Sequence, residues 1–265
     1  MKALSKYLRK RKSALWKYFE LPKEIYTPET FHELRLEVKK QNAFFELVEF
    51  CTKDFERLKH FKALKTVFRQ AGKVRDLQVE EMMLRDYFAG TELKSYKRQL
   101  HKRIEKEKQI YFSMLNPSFV SQLKNMYRST EPFLSTITTK AAKRYMANRR
   151  KKIKIILLKP NLGIFEIHDL RKRIKKYHFN ERGLKLMKQN KDPLSSKTLP
   201  EILGKWHDCQ FVITNLKKTL KVKGVHIQEK RHLEKVILQL SIERRRLSEK
   251  IRAVIPTSEF LINGK

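Results

Sequence analysis

Glycine, proline and cysteine are all scarce in this chain, at 7, 8 and 2 of 265 residues. Few breakers and almost no strand-like alternation exclude a β-rich fold and predict an all-α chain. Cys51 and Cys209 lie far apart without a metal-type spacing. That excludes a disulfide scaffold and a cysteine-held metal, and with no secretory h-region at the N-terminus it predicts a reduced cytoplasmic protein with two buried thiols. The longest apolar run, Ile155 to Leu158, falls far short of the ~20 residues a membrane-spanning helix needs. Acidic residues are the other shortage: 28 Asp and Glu against 62 Lys and Arg give a formal net charge of +34. An excess of that size opposes compaction unless anions gather on it, so a polyanion is the expected partner. Nucleic acid, an anionic membrane surface and a phosphate polymer are the candidate classes.

What is present is helical periodicity over a chain that is 40% hydrophobic and 10% aromatic, enough for a real core. Residues 2–20 form a basic amphipathic helix with Leu4, Leu8, Leu15 and Phe19 on one side. Thr30 followed by Glu33 matches a capping box that opens a helix over about 30–51, with Phe31, Leu34, Val38, Phe45 and Val48 along its apolar face. A helix over about 53–70 is expected to stop at Gly72, followed by helices over about 73–88 and 91–113. Pro117 and Pro132 bracket a short helical piece, and further helices cover about 134–158, 165–190, 198–220 and 226–252. Pro160, Pro193, Pro200 and Gly224 mark breaks, and the tail from Pro256 reads as frayed.

The densest signal is I-H-D-L-R-K-R-I-K-K-Y-H-F, from Ile167 to Phe179. On a helix His168, Arg171, Lys175 and His178 share a sector of roughly 80°. Leu170, Ile174 and Tyr177 form the adjoining apolar stripe, so this basic row borders the core, where a solvated charge run would lie opposite it. The pattern recurs. At a shift of about 136, F-H-E-L-R-L-E-V-K-K from Phe31 aligns with I-H-D-L-R-K-R-I-K-K from Ile167. At a shift of about 132, A-G-K-V-R-D-L-Q-V from Ala71 aligns with L-G-K-W-H-D-C-Q-F from Leu203. Lys6 and Arg11 of the first basic helix echo Arg144 and Arg149 of a second. Two related helical halves, 1–132 and 133–265, are therefore expected, and if they face one another then His32, Arg35 and Lys39 share a groove with His168, Arg171 and Lys175.

These residues resemble the conserved-histidine α-helical domain, or CHAD, family, whose motif reads approximately H-x-x-R-x-x-x-[KR]-[KR]-x-[RH]-[YF] with a companion G-x-x-[RHN]-D, each occurring twice. The second copy matches at His168, Arg171, Lys175, Lys176, His178 and Phe179, then at Gly204, His207 and Asp208. The first matches at His32, Arg35, Lys39 and Lys40, then at Gly72, Arg75 and Asp76. It departs at Asn42 and Ala43, where the pattern has a basic and an aromatic residue. The resemblance covers nearly the whole chain. It implies one all-α domain of two pseudo-symmetric four-helix bundles facing each other around a basic central channel. It also implies non-catalytic binding of long-chain inorganic polyphosphate, in some members with targeting to polyphosphate granules. The residues it points to here are those named above together with Lys172 and Lys205, with Lys6, Arg11, Arg144 and Arg149 as secondary basic candidates. No E-x-E-x-K stretch of the triphosphate-tunnel domain fused to some family members is present.

The chemistry fits that class. Polyphosphate carries about one charge per internal phosphate and no base, so it needs a row of donors and no stacking platform; Arg supplies a fork and Lys a mobile point charge. His32, His168, His178 and His207 can donate neutral hydrogen bonds, or bind more strongly when protonated. Asp76 and Asp208 would repel phosphate and read as residues that orient neighbouring cations. The mixed Lys/Glu segment 97–108 and Arg244 to Arg246 read as solvated faces. No His pair has zinc-enzyme spacing, no cofactor motif is present, and no carboxylate pair is placed to hold Mg²⁺, so neither a metal site nor phosphoryl-transfer catalysis is expected. Two alternatives stay open: a nucleic-acid-binding or architectural protein, and an accessory subunit of a polyphosphate-metabolising enzyme.

Overall fold

Helix α2, Pro28–Cys51, begins two residues earlier than its sequence signature suggested, and the cap explains why. Thr27 is the N-cap: its side chain accepts from the Thr30 amide at 3.2 Å, and the Thr30 hydroxyl accepts from the Thr27 amide at 3.2 Å. Pro28 at the first helical position has φ already set for a helix and no amide to waste. The capping box is therefore Thr27 with Thr30, and Glu33 takes no part in it.

The computed structural model describes residues 2–85, 93–185, 198–221 and 227–262. In order these form α1 Lys2–Glu20, α2, a single turn α3 Arg57–His60, α4 Lys62–Met83, α5 Lys94–Ser113, α6 Pro117–Leu134, α7 Thr139–Leu157, α8 Ile164–Lys185, α9 Thr198–Leu220, α10 Ile227–Val254 and a last turn α11 Glu259–Ile262. No strand occurs among the described residues, so the fold is all-α. None of these helices is long and apolar enough to cross a membrane. Pro193, Gly224 and the expected helix ends at 86–88, 91–92 and 186–190 lie outside the described residues.

Other boundaries differ from expectation too: the helix expected over about 53–70 is the turn α3 followed by α4, and the one expected over about 134–158 starts at Thr139. Gly72 does not end a helix: α4 runs through it, because its backbone stays helical and its missing side chain is used for packing. The piece between Pro117 and Pro132 is a full helix, α6, with Pro117 at its first position behind the Asn116 cap and Pro132 in its last turn. The tail is tied down as far as Ile262: a 3-10 turn at Ile255–Thr257 leads to α11, where Phe260 is 3% exposed.

The chain divides into two compact units, each drawing segments from both sequence repeats. Unit 1 comprises 1–75, 107–153 and 172–193, and unit 2 comprises 76–106, 154–171 and 194–265. In unit 1, Leu4, Leu8 and Leu15 of α1 pack with Phe31, Leu34, Val38 and Val48 of α2 and with Leu64, Val67 and Val74 of α4. An aromatic knot anchors that core. The rings of Tyr26 and Phe31 lie 5.1 Å apart, Tyr26 meets Phe112 edge-on at 4.9 Å, and Phe31 meets Tyr111 at 5.0 Å. Such tilted and edge-on pairs add to simple burial. Asn180 of α8 is buried and donates to the Ala43 carbonyl and the Tyr145 hydroxyl, both at 2.9 Å. In unit 2, Leu77, Leu100 and Ile104 pack with Val212, Leu216, Leu233 and Val236. Glu80 is buried there and accepts from the Tyr96 hydroxyl and from Asn215 at 3.1 Å. The two cysteines are free; Cys209 is buried, Cys51 only half-buried, and burial pushes both thiols up to about 11.

Gly72 and Gly204 occupy matching motif positions yet differ in surroundings. A Cβ on Gly72 would lie 2.3 Å from Arg35 Nη1, whereas one on Gly204 meets nothing within 4 Å. Gly204→Ala is thus expected to raise the unfolding free energy by roughly 0.5–1 kcal/mol through helix propensity alone. Gly72→Ala is expected to lose that gain by displacing Arg35, so urea denaturation should separate the two variants.

Candidate anion-binding site

On α2, His32, Arg35 and Lys39 follow at helical spacing and border the stripe of Phe31, Leu34 and Val38. His32 is half-buried, and its pKa is pulled below the ordinary 6.5, first by burial and then by nearby charge. Arg75 of α4, Lys175 of α8 and Lys39 all act to lower it, opposed by Glu29. The charges of three cations from three helices thus all act on one imidazole inside unit 1. Lys175 belongs to the second sequence repeat and the others to the first.

Arg35 is held along α4. Its Nη1 donates to the Phe68 carbonyl at 3.1 Å, and its guanidinium carbon lies 4.6 Å from the centre of the Phe68 ring. Gly72 supplies the space beneath it. Arg75 Nη1 donates at 3.4 Å to the Pro28 carbonyl at the start of α2. Each guanidinium is therefore fixed by a backbone carbonyl, which spares it the cost of ordering when an anion arrives.

Other cations of the motif are placed against carboxylates that sequence reasoning overlooked. Glu37 of α2 accepts from buried Arg11 and from Lys40, each at 2.5 Å. Glu46, also on α2, accepts from Arg149 of α7 at 2.5 Å and Lys176 of α8 at 2.7 Å. The second lysine of each K-K pair and an arginine of each basic helix thus share one glutamate. Lys40 sits three residues after Glu37, a spacing that carries a weak signal. Glu46 lies in an F-F-E-L-V run, where a buried carboxylate leaves no local trace of its partners. Asn42, where the motif departs, accepts from Arg57 at 3.0 Å.

In unit 2 the two motifs of the second copy meet. The His168 and His207 rings are 5.1 Å apart, inclined at 38°. Arg171 is half-buried, with its buried Nε lacking a hydrogen-bond partner. Burial lowers its pKa, and the Asp208 carboxylate opposes that shift. Asp208 thus stands where it supports a cation. Among the remaining candidates, Lys172, Lys205 and Lys6 are exposed. Arg144 is exposed and lies 5.6 Å over the Phe50 ring. His178 is buried, with Nδ1 3.6 Å from Glu181.

Glu29, His32 and Glu33 each offer one ligand atom, all within 4.8 Å of one another, as a cation site would need. Glu33 is raised above the usual carboxylate range by burial and by Glu29. Arg75, Lys175 and Lys39 beside His32 oppose a metal ion there.

No family model matches the sequence, and no curated protein matches it. Solved structures do. The CHAD domain from the plant Ricinus communis superimposes with a TM-score of 0.78 at 15% identity, covering 96% of this chain and 90% of that one. PptA from Streptomyces chartreusis superimposes with a TM-score of 0.69 at 10% identity, covering 97% and 99%. Over nearly its whole length, the chain has the all-α fold of a CHAD domain.

Proposed function

We propose that the chain is a non-catalytic binding module for long-chain inorganic polyphosphate, gripped first at Lys39, Arg75 and Lys175 around His32. The combined charge of these three cations on a half-buried imidazole, with Arg35 and Arg75 each bonded to a backbone carbonyl, carries the reading. Like charges held together beside a core destabilise the unliganded protein, and an anion relieves them. The fold likeness to a CHAD domain agrees with the motif. Arg171, Lys172, His168 and His207 extend the same chemistry along the second copy. In this proposal the cluster forms part of the wall of a basic channel. Granule association and service to a polyphosphate-metabolising enzyme are consequences such binding would allow. Absence of catalysis is part of the same proposal. Phosphoryl transfer ordinarily needs carboxylates that hold a metal beside the phosphate, and the Glu29–His32–Glu33 group sits under opposing positive charge.

Titrating labelled polyphosphate against the parent and Lys39→Ala/Lys175→Ala should show a loss of roughly tenfold or more, with the salt slope falling by about one to two. Lys106→Ala/Lys108→Ala should change little. Equal losses in the two doubles, or equal competition by duplex DNA of matched charge, would reduce the site to diffuse attraction.

The depressed pKa of His32 gives binding a pH dependence of defined sign. A bound polyanion favours imidazolium, so the pKa rises on binding and a proton is taken up. Affinity should tighten as pH falls and level off once His32 of the free protein is itself protonated, below pH 6.5. Calorimetry in buffers of different ionisation enthalpy should detect the uptake, and His32→Gln should diminish it.

Glu46→Ala leaves Arg149 and Lys176 without their shared carboxylate. Since both cations are partly exposed, the expected cost is about 1–3 kcal/mol of stability, measured by denaturant unfolding.

A further inference from the structure

A second basic site lies in unit 1, in a groove of about 890 Å³ between α1 and α6. The two helices run antiparallel here: Phe19 meets Phe119 at 5.1 Å, while Lys12 Nζ lies 5.8 Å from the Tyr127 ring centre. As α1 advances from 12 to 19, its neighbours on α6 step back from 127 to 119. Glu20 and Glu131, which both line the groove, therefore fall at opposite ends. The α1 wall from Leu8 to Glu20 is roughly 18 Å long at helical rise. Five cations line the groove against those two carboxylates. Its centre is thus cationic and its ends acidic.

The floor differs from that of the His32 cluster. Trp16, half-buried, and Tyr127, 4% exposed, both line the groove. Ser13, small and exposed, keeps the space beside Trp16 open. Lys12 lies over both rings, 5.9 Å from Trp16 and 5.8 Å from Tyr127, so its charge is already positioned by the ring faces. Lys124 and Arg128, one turn apart on α6, form the facing cationic wall. A flat apolar surface inside a concave cationic channel suits a ligand that carries a ring and phosphate together. A membrane surface would need apolar tips that protrude, whereas these rings are recessed.

We propose that the α1–α6 groove binds a nucleotide unit, its base against Trp16 and its phosphates between Lys12, Lys124 and Arg128. The unit's source is either a free nucleoside phosphate or a single-stranded nucleic acid. The site is separate from the His32 cluster and does not depend on the polyphosphate reading.

The test uses the full chain with two probes, ATP without metal and a short single-stranded oligodeoxyadenylate, read by tryptophan fluorescence and calorimetry. The chain has two tryptophans and Trp206 is 1% exposed, so quenching by a surface ligand reports on Trp16. At least one probe should quench. Lys124→Glu/Arg128→Glu should abolish the quench, and Trp16→Leu should weaken binding by roughly tenfold while Trp16→Phe restores most of it. Lys124 and Arg128 are exposed, so their double variant is expected to fold; Trp16 packs against the core, so its variants are compared at matched folded fraction by denaturant unfolding, and Trp16→Phe keeps a ring in place. Binding of both probes assigns the groove to nucleotides in general, and binding of the oligonucleotide alone assigns it to strands. Lys39→Ala/Lys175→Ala should leave either result unchanged. The proposal is overturned if neither probe quenches, or if binding survives Trp16→Leu undiminished and ring-free polyphosphate of equal charge occupies the groove as well.

Discussion

Glu46 of α2 takes a guanidinium from α7 at 2.5 Å and an ammonium from α8 at 2.7 Å, and nine residues earlier Glu37 does the same for Arg11 and Lys40. In a chain of net charge +34, carboxylates are the scarce resource, and their placement decides which cations can lie near a core. Both glutamates are nearly buried, at 6% and 8% exposure, so each works where the dielectric is low and pairing matters most. α2 is therefore the helix on which basic segments of α1, α7 and α8 dock. Without these two side chains, Arg11, Lys40, Arg149 and Lys176 would meet the core uncompensated.

The same placement isolates the candidate site. With the second lysine of each K-K pair on a glutamate, the first lysines, Lys39 and Lys175, act on His32 together with Arg75. In the proposed function the glutamate-bound cations tie the helices together and the His32 cluster receives the anion. Two adjacent lysines on a helix point about 100° apart, which is the geometry that sends one to a carboxylate and the other to the imidazole.

Much of this was legible in the sequence, and the illegible parts share a cause. Helical periodicity and the shortage of breakers gave the all-α class, and α1 and α9 span the residues expected of them. The recurrence of H-x-x-R with a distant G-x-x-[RH]-D pointed to side chains that do come together, as His168 with His207 and Arg35 with Gly72 show. Gly72 was misread as a helix stop because its use is tertiary: it admits a guanidinium from another helix, and no local pattern encodes that. Pro132 likewise looked like a boundary, yet α6 carries it two residues before its end, giving up the amide hydrogen bond that position would make. The pairing of Glu37 and Glu46 with cations over 26 to 130 positions away, apart from Lys40, could not be read from neighbours in sequence.

Two basic sites on one protein compete for the same anions unless something besides charge separates them, and the placement of aromatic rings supplies it. At the His32 cluster Arg35 covers the Phe68 ring at 4.6 Å, so a base arriving with its phosphate finds that face taken. A ring-free phosphate chain loses nothing there. In the α1–α6 groove Lys12 lies over Trp16 at the longer distance of 5.9 Å and is exposed, so in the proposal a base moves it aside and gains stacking that a bare phosphate chain cannot. Arg35 and Lys12 would in this way sort ring-bearing from ring-free anions, one held over its aromatic face by the Phe68 carbonyl and the other on a flexible, exposed side chain that can yield its ring to a base.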